Sequence, residues 1–140
     1  MDGYNVHVVD GDLHLRDTAA ALLTLIGHEP VLWESSGQFL ARANPRPGEC
    51  ILLDVKLAGL GGIEVLDRLR AWGIATPVVI MTDANAPRRE SELLDRGAVW
   101  LLDKPFRLAD LRRALTIAEN AAARVAASRA GLAQRRSAEM

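Results

Sequence analysis

The amino-acid sequence predicts an α/β protein built on a doubly wound, five-stranded parallel sheet. Three observations predict it. Short β-branched apolar runs alternate with stretches of helical periodicity, which is the pattern of βα units. Glycines punctuate the ends of the helical stretches, and carboxylates or a lysine follow most of the apolar runs.

The elements follow in order. Val6–Val9 reads as the first strand, and Leu15, Ala19, Leu22 and Ile26 give the first helix its apolar stripe before a stop at Gly27. Val31–Trp33 is the second strand, and a short helix near Gly37–Ala43 ends before the loop Asn44-Pro45-Arg46-Pro47-Gly48. Ile51–Leu53 is the third strand. The next helix carries Ile63, Leu66 and Leu69 to a stop near Gly73. Val78–Met81 is the fourth strand, and its helix begins near Pro87, a residue suited to a first turn, and stops at Gly97. Val99–Leu102 completes the sheet, and one long Ala/Arg-rich helical stretch follows residue 107. Residues 1–120 are expected to form one domain, with 121–140 as a helical extension.

Composition excludes several classes of function. The chain has 140 residues, 49% hydrophobic and 4% aromatic, so an aliphatic core is expected. No apolar run approaches the roughly 18–20 residues of a membrane span, and no signal pattern opens the chain, so a cytoplasmic protein without membrane contact is expected. Cys50 is the only cysteine, which excludes an internal disulfide, and no Cys/His cluster has zinc spacing. Residues 1–106 hold ten basic and fifteen acidic side chains, whereas 107–140 hold seven and three. That basic tail reads as a solvated helix face rather than a nucleic-acid contact. His7, His14 and His28 lack metal spacing and read as structural or surface residues, and the three tryptophans are too separated for a stacking platform.

Ligands of open parallel sheets bind beyond the carboxyl ends of the strands. The polar residues there are Asp10 and Asp12, Asp54, Thr82 and Asp83, and Asp103 and Lys104, followed by Pro105. Converging carboxylates repel one another, and a hard divalent ion such as Mg²⁺ relieves that repulsion. With a metal and the Lys104 ammonium neutralising charge, one carboxylate can attack a phosphoryl donor, and Thr82 can donate to a phosphoryl oxygen.

Val8-Val9-Asp10-Gly11-Asp12, Leu52-Leu53-Asp54-Val55-Lys56-Leu57-Ala58, Gly62, Met81-Thr82 and Asp103-Lys104-Pro105-Phe106 together resemble the motifs of two-component receiver domains, in order and spacing, across about residues 4–120. The resemblance implies a flavodoxin-like sheet of order 2-1-3-4-5, regulation rather than enzymatic turnover, and Asp54 as phosphoacceptor. It implies Mg²⁺ on Asp10, Asp54 and the Lys56 backbone carbonyl; with Gly11 where the family has an acid, binding is expected to be weak, and Asp12 would ligate only through a shift of the loop. It also implies Thr82 as switch hydroxyl, Lys104 on the phosphoryl group through a cis peptide to Pro105, and a histidine kinase or phosphotransfer protein as partner.

Four departures stand out. Gly11 replaces a metal-binding acid, Asp83 replaces the small residue after the switch threonine, Leu101 replaces an aromatic switch residue, and Ala58 replaces a loop proline. They support an alternative, a phosphorylation-independent interaction module on the same fold. A phosphohydrolase of the haloacid-dehalogenase type is disfavoured by Lys56 at the position of its second Asp. A flavin binder is disfavoured by the absence of a phosphate loop after the first strand. Leu108, Leu111, Leu115, Ala118, Ala122, Val125, Arg129 and Leu132 follow a 3,4 spacing, which predicts that the last helix pairs with a second chain as a homodimer. No DNA-binding domain follows in this sequence, so the chain is expected to act through protein contacts alone or as one part of a longer regulator.

Overall fold

The structure is a computed structural model that describes residues 3–57, 59–83 and 90–139, the side chains of 136–139 excepted. Ten elements alternate along it: β1 (Asn5–Val9), α1 (Leu13–Leu25), β2 (Glu29–Trp33), α2 (Ser36–Arg42), β3 (Cys50–Asp54), α3 (Gly62–Ala71), β4 (Val78–Asp83), α4 (Glu90–Asp95), β5 (Trp100–Lys104) and α5 (Leu108–Glu139). The five strands pair in parallel in the order β2-β1-β3-β4-β5, as the resemblance implies. Pro87 and Ala58 lie outside the described residues.

The strands run further than their apolar runs. Asp54, Thr82, Asp83, Asp103 and Lys104 are the closing residues of β3, β4 and β5, rather than loop residues beyond them. Main-chain pairing is indifferent to side-chain polarity, so the ladder continues until the backbone turns away. This fixes the register of the polar tips: Asp54 stands opposite Met81, Thr82 opposite Asp103 and Asp83 opposite Lys104.

Alternation along the strands divides the core in two. Val6, Val8, Leu52, Val79 and Met81 face α1 and α5, where they meet Ala19, Leu23, Leu111, Leu115 and Ala118. Val9, Ile51, Leu53, Val78 and Ile80 face the other layer, with Phe39, Val65, Leu66, Leu69 and Leu93. A buried Leu of this kind is worth roughly 1.5–3 kcal/mol of transfer free energy. In α1 the fully buried residues are Ala19 and Leu23, and Leu15, Leu22 and Ile26 pack half-buried against the same cluster. The α1, α3 and α4 helices end just before Gly27, Gly73 and Gly97, whose φ values of 90°, 76° and 106° let the chain leave the helix as those stops require.

Two polar anchors were not legible beforehand. His7 is buried; its Nδ1 accepts from Trp33 Nε1 at 3.2 Å, so its Nε2 carries the proton donated to Glu49 Oε1 at 2.9 Å. This ties the edge strand β2 to the centre of the sheet. At the opposite edge, the Arg70 guanidinium donates to the carbonyls of Ile74, Thr76 and Gly97 at 2.7, 3.0 and 3.1 Å, joining the loops before β4 and β5.

The extended last helix is present as a single run of 32 residues. Its first turns seat Leu111, Ala114, Leu115 and Ala118 in the core, and the Tyr4 hydroxyl donates to Glu119 at 2.7 Å where the helix leaves the sheet. Beyond it, Val125 and Leu132 are 42% and 48% exposed. Among the described residues no helix is long and apolar enough to cross a membrane.

Candidate functional site

The carboxyl end of the sheet gathers its polar residues because the parallel strands β1, β3, β4 and β5 are neighbours that all end there, β4 and β5 running two residues past the level of Asp54. Asp10 directly follows β1 and is 2% exposed; its backbone N–H donates to Trp33 O at 3.1 Å, continuing the sheet one residue further. The Arg16 guanidinium, on the first turn of α1, donates to the Asp10 carbonyl at 2.8 Å. Asp54 closes β3 and is 8% exposed. Both carboxylates meet one ammonium: Lys104 Nζ lies 2.6 Å from Asp10 Oδ2 and 3.2 Å from Asp54 Oδ1. Lys104 is joined to Pro105 by a cis peptide bond.

The electrostatics follow from this shared cation. Burial lifts the Asp54 carboxyl above its ordinary range; Lys104 pulls it down, Asp10 pushes it further up, and the net direction is upward. Burial alone would lower Lys104, but the hydrogen bond to Asp10 and the charges of both aspartates outweigh it and hold the ammonium above its ordinary value. Asp54 is therefore a basic, partly desolvated carboxylate held against a firmly charged lysine. That is the setting of an oxygen nucleophile beside a cation able to stabilise developing negative charge.

Backbone donors complete the frame. The N–H of Asp12 donates to Asp10 Oδ1 at 2.9 Å and the N–H of Lys56 to Asp54 Oδ1 at 3.2 Å. Gly62 lies against the Asp54 main chain so closely that a β-carbon there would fall 2.7 Å from the Asp54 carbonyl oxygen. The expected site residues Asp10, Asp54 and Lys104 thus come together at one cation, and Lys56 and Thr82 flank Asp54. Thr82 is buried, and its hydroxyl donates to the carbonyl of Asp83 at 3.1 Å.

Asp12 stands apart from them. Its carboxylate caps α1 by accepting from His14 N at 2.9 Å, and the side chain is exposed. Leu101 is half-buried against the α3/α4 layer. Among the described residues, no three acidic, cysteine or histidine side chains form a ready-made metal cage. A cavity of about 360 Å³ opens beside Lys104, bounded by Asp12, His14, Asp83, Pro105 and Phe106. Two contacts went unforeseen: the Arg16 bond to Asp10, and a pairing of Lys56 Nζ with Asp83 Oδ2 at 3.4 Å. A basic residue in the first turn after Asp10 is the only trace of the former in the sequence.

The family model described as the response regulator receiver domain matches residues 6–116. The chain belongs to that family. It is 34% identical over 123 residues to the tetrathionate response regulatory protein TtrR of Salmonella typhimurium, covering 85% of this chain and 60% of that protein. Among solved structures it is similar to full-length FixJ from B. japonicum, with TM-score 0.79 and 30% identity over 99% of this chain and 68% of the other. It is also similar to the chemotaxis response regulator CheY4 of Vibrio cholerae, with TM-score 0.73 and 25% identity over 81% and 97% of the two chains. The receiver spans 60% and 50% of the length of two curated regulators that it matches, TtrR and the Bradyrhizobium FixJ. This is a regulatory family of two-component signalling.

Proposed function

We propose that this receiver accepts a phosphoryl group on Asp54 from a histidine kinase or phosphotransfer protein in the cytoplasm, and signals by changing its protein contacts. The observation that carries the reading is the single ammonium of Lys104 held between two buried carboxylates. An Asp54 oxygen attacks the phosphorus in line; the new O–P bond forms as the bond to the donor breaks, and the donor leaves with its electron pair. Lys104 then moves from the Asp54 carboxylate to a phosphoryl oxygen, and the Thr82 hydroxyl turns from the Asp83 carbonyl to another.

The donor set suits a hard divalent ion. Asp10, Asp54 and the Lys56 backbone carbonyl would hold Mg²⁺, which would neutralise charge on the transferring group. Two carboxylates dehydrate such an ion less readily than three, so weak binding is expected; Asp12 would join only by giving up its cap on α1.

Incubation with Mg²⁺ and acetyl phosphate, followed by intact mass, tests the reading. One added phosphoryl group is expected on the wild type and none on Asp54→Asn. Label that persists in Asp54→Asn, or maps to another aspartate, overturns the assignment. The second reading, a receiver-like module that signals without phosphorylation, is favoured by Gly11 and by the engagement of Asp12 in capping. A folded wild type that takes no label supports it.

The domain organisation proposed is a receiver over 1–120 and a helical extension over 121–140 that pairs with a second chain. Because Leu111, Leu115 and Ala118 are committed to their own core, pairing must use Ala122, Val125, Arg129 and Leu132. Light scattering on the full chain and on a form ending at Glu119 tests this. A dimer lost on truncation supports it, and a monomer in both removes it.

A further inference from the structure

Where α5 leaves the sheet, a tyrosine, a histidine and a glutamate form a cluster that has no part in the site at the other end of the strands. Tyr4, the only tyrosine of the chain, is held from two sides. Its backbone N–H donates to His28 Nδ1 at 3.3 Å, and its hydroxyl donates to Glu119 Oε1 at 2.7 Å. The Tyr4 and His28 rings lie 4.2 Å apart, tilted by 44°. Because His28 Nδ1 accepts, it is bare, and the ring proton sits on Nε2. Beside His28 a cavity of about 210 Å³ opens, lined by Ile26 at the end of α1 and by Arg112, Leu115, Thr116 and Glu119 of α5.

The main chain on both sides of this contact is fixed. His28 N–H donates to the Leu23 carbonyl at 2.9 Å, and Glu29 N–H to the Tyr4 carbonyl at 3.0 Å. Gly3 is packed so closely on Gly27 that a β-carbon there would fall 1.8 Å from the Gly27 carbonyl oxygen. A proton arriving at Nδ1 turns the accepted hydrogen bond into two N–H groups facing each other, and the tethered backbone cannot separate them. The imidazole ring is the part free to turn, and the cavity gives it the room.

We propose that His28 is an acid-operated latch on α5. Neutral, it holds the Tyr4 main chain and leaves Glu119 to the Tyr4 hydroxyl. Protonated, it releases the Tyr4 N–H, swings into the cavity and donates a ring N–H to the Glu119 carboxylate. The support of α5 at its exit then passes from the N-terminal segment to the end of α1. This latch is independent of phosphoryl chemistry at Asp54.

The charged and titratable groups around the cluster are Glu119 and Arg112 from α5, Tyr4 ahead of β1, Glu29 at the start of β2 and Cys50 at the start of β3. Glu119 favours the imidazolium, whereas the exposed Arg112 guanidinium faces the same cavity and works against it. Glu29 is exposed. Burial pushes the Cys50 thiol up to about 12, and burial, then the bond to Glu119, raises the Tyr4 hydroxyl, so both stay neutral while the latch works. In the closed arrangement burial outweighs Glu119 and holds His28 below its ordinary value of 6.5.

Nuclear magnetic resonance on the full chain, with labelled histidine and tyrosine, tests the latch. Between about pH 8 and about pH 5, a span that crosses the ordinary titration of imidazole, contacts of the His28 ring with the Tyr4 ring should give way to contacts with the Thr116 methyl group. The exchange protection of the Tyr4 amide should fall about three- to tenfold over the same span, the scale of one lost hydrogen bond. Glu119→Gln keeps an acceptor for the Tyr4 hydroxyl but carries no charge, and it should lower the midpoint of the change. His28→Gln should show no such fall in protection. Because the native state takes the proton less readily than the unfolded chain, the neutral ring contributes in full above 6.5 and its contribution is lost as pH falls below that value. Wild type should therefore lose more stability than His28→Gln over that window. A His28 ring that stays against Tyr4 at about pH 5, protonated or not, or a fall in Tyr4 protection that is equal in His28→Gln, would overturn the latch.

Discussion

Gly62 and Gly37 are each near the start of a helix, and the same substitution at the two should have opposite effects. A β-carbon on Gly62 would lie 2.7 Å from the Asp54 carbonyl oxygen and 2.9 Å from Val55 Cα, both main-chain atoms at the end of β3. No side chain can move aside there, and the Gly62 N–H is also bound to the Val55 carbonyl at 3.1 Å. Relief therefore requires α3 and the tip of β3 to separate. Overpacking of this kind costs about 1–3 kcal/mol, against a helix-propensity gain of at most about 1 kcal/mol. The net loss for Gly62→Ala is about 1–2 kcal/mol, or a Tm lower by roughly 4–10 °C for a domain of this size. A β-carbon on Gly37 meets nothing within 4 Å. Gly37→Ala should therefore gain a few tenths to about 1 kcal/mol. Urea unfolding followed by circular dichroism would read both, and Gly62→Ala should in addition slow phosphoryl loading, because the atom displaced belongs to Asp54. A Gly62→Ala protein as stable as wild type, or a Gly37→Ala protein destabilised equally, would refute the reasoning.

Three further outcomes are expected. Gly11→Asp should tighten Mg²⁺ binding roughly tenfold by calorimetry, since the β-carbon has room, its nearest neighbour being Glu34 O at 3.8 Å, and a third carboxylate joins the set; unchanged affinity would place the new carboxylate outside the metal's reach. Arg70→Leu should cost about 3 kcal/mol in denaturant unfolding because three loop carbonyls lose their donor, and a loss below about 1 kcal/mol would mean that water replaces the guanidinium. For Glu49, burial pushes the carboxyl up, but bonds from His7 and the Arg46 N–H outweigh it and leave it below its ordinary value of 4.5. Its stabilising contribution is then complete above the unfolded-state value and is lost as pH falls through the lowered folded-state one. Wild type should lose stability across that acid window more steeply than Glu49→Gln, and identical pH slopes would discount the pair.

The βα alternation, the stops at Gly27, Gly73 and Gly97, and the identities of Asp10, Asp54, Thr82 and Lys104 were legible from the sequence, because each depends on local periodicity, on backbone freedom or on a residue type at a strand end. Even the length of α5 could be read from its unbroken Ala/Arg pattern. What only the tertiary structure decided is who meets whom. That Lys104 serves two carboxylates at once depends on β5 running two residues past the level of Asp54, so that its side chain spans the tips of β4 and β3, a matter of register that no single segment encodes. That Asp12 caps a helix depends on where α1 starts, and its carboxylate is as near to His14 in sequence as to Asp10. The three carbonyls that Arg70 holds belong to the loops before β4 and β5, which meet it only in the folded chain. Pairs such as Lys56–Asp83 and His7–Glu49 join residues 27 and 42 positions apart. Charge and hydrogen-bonding capacity are written residue by residue, but a Coulomb energy depends on distance, and distance between remote residues exists only once the sheet has closed.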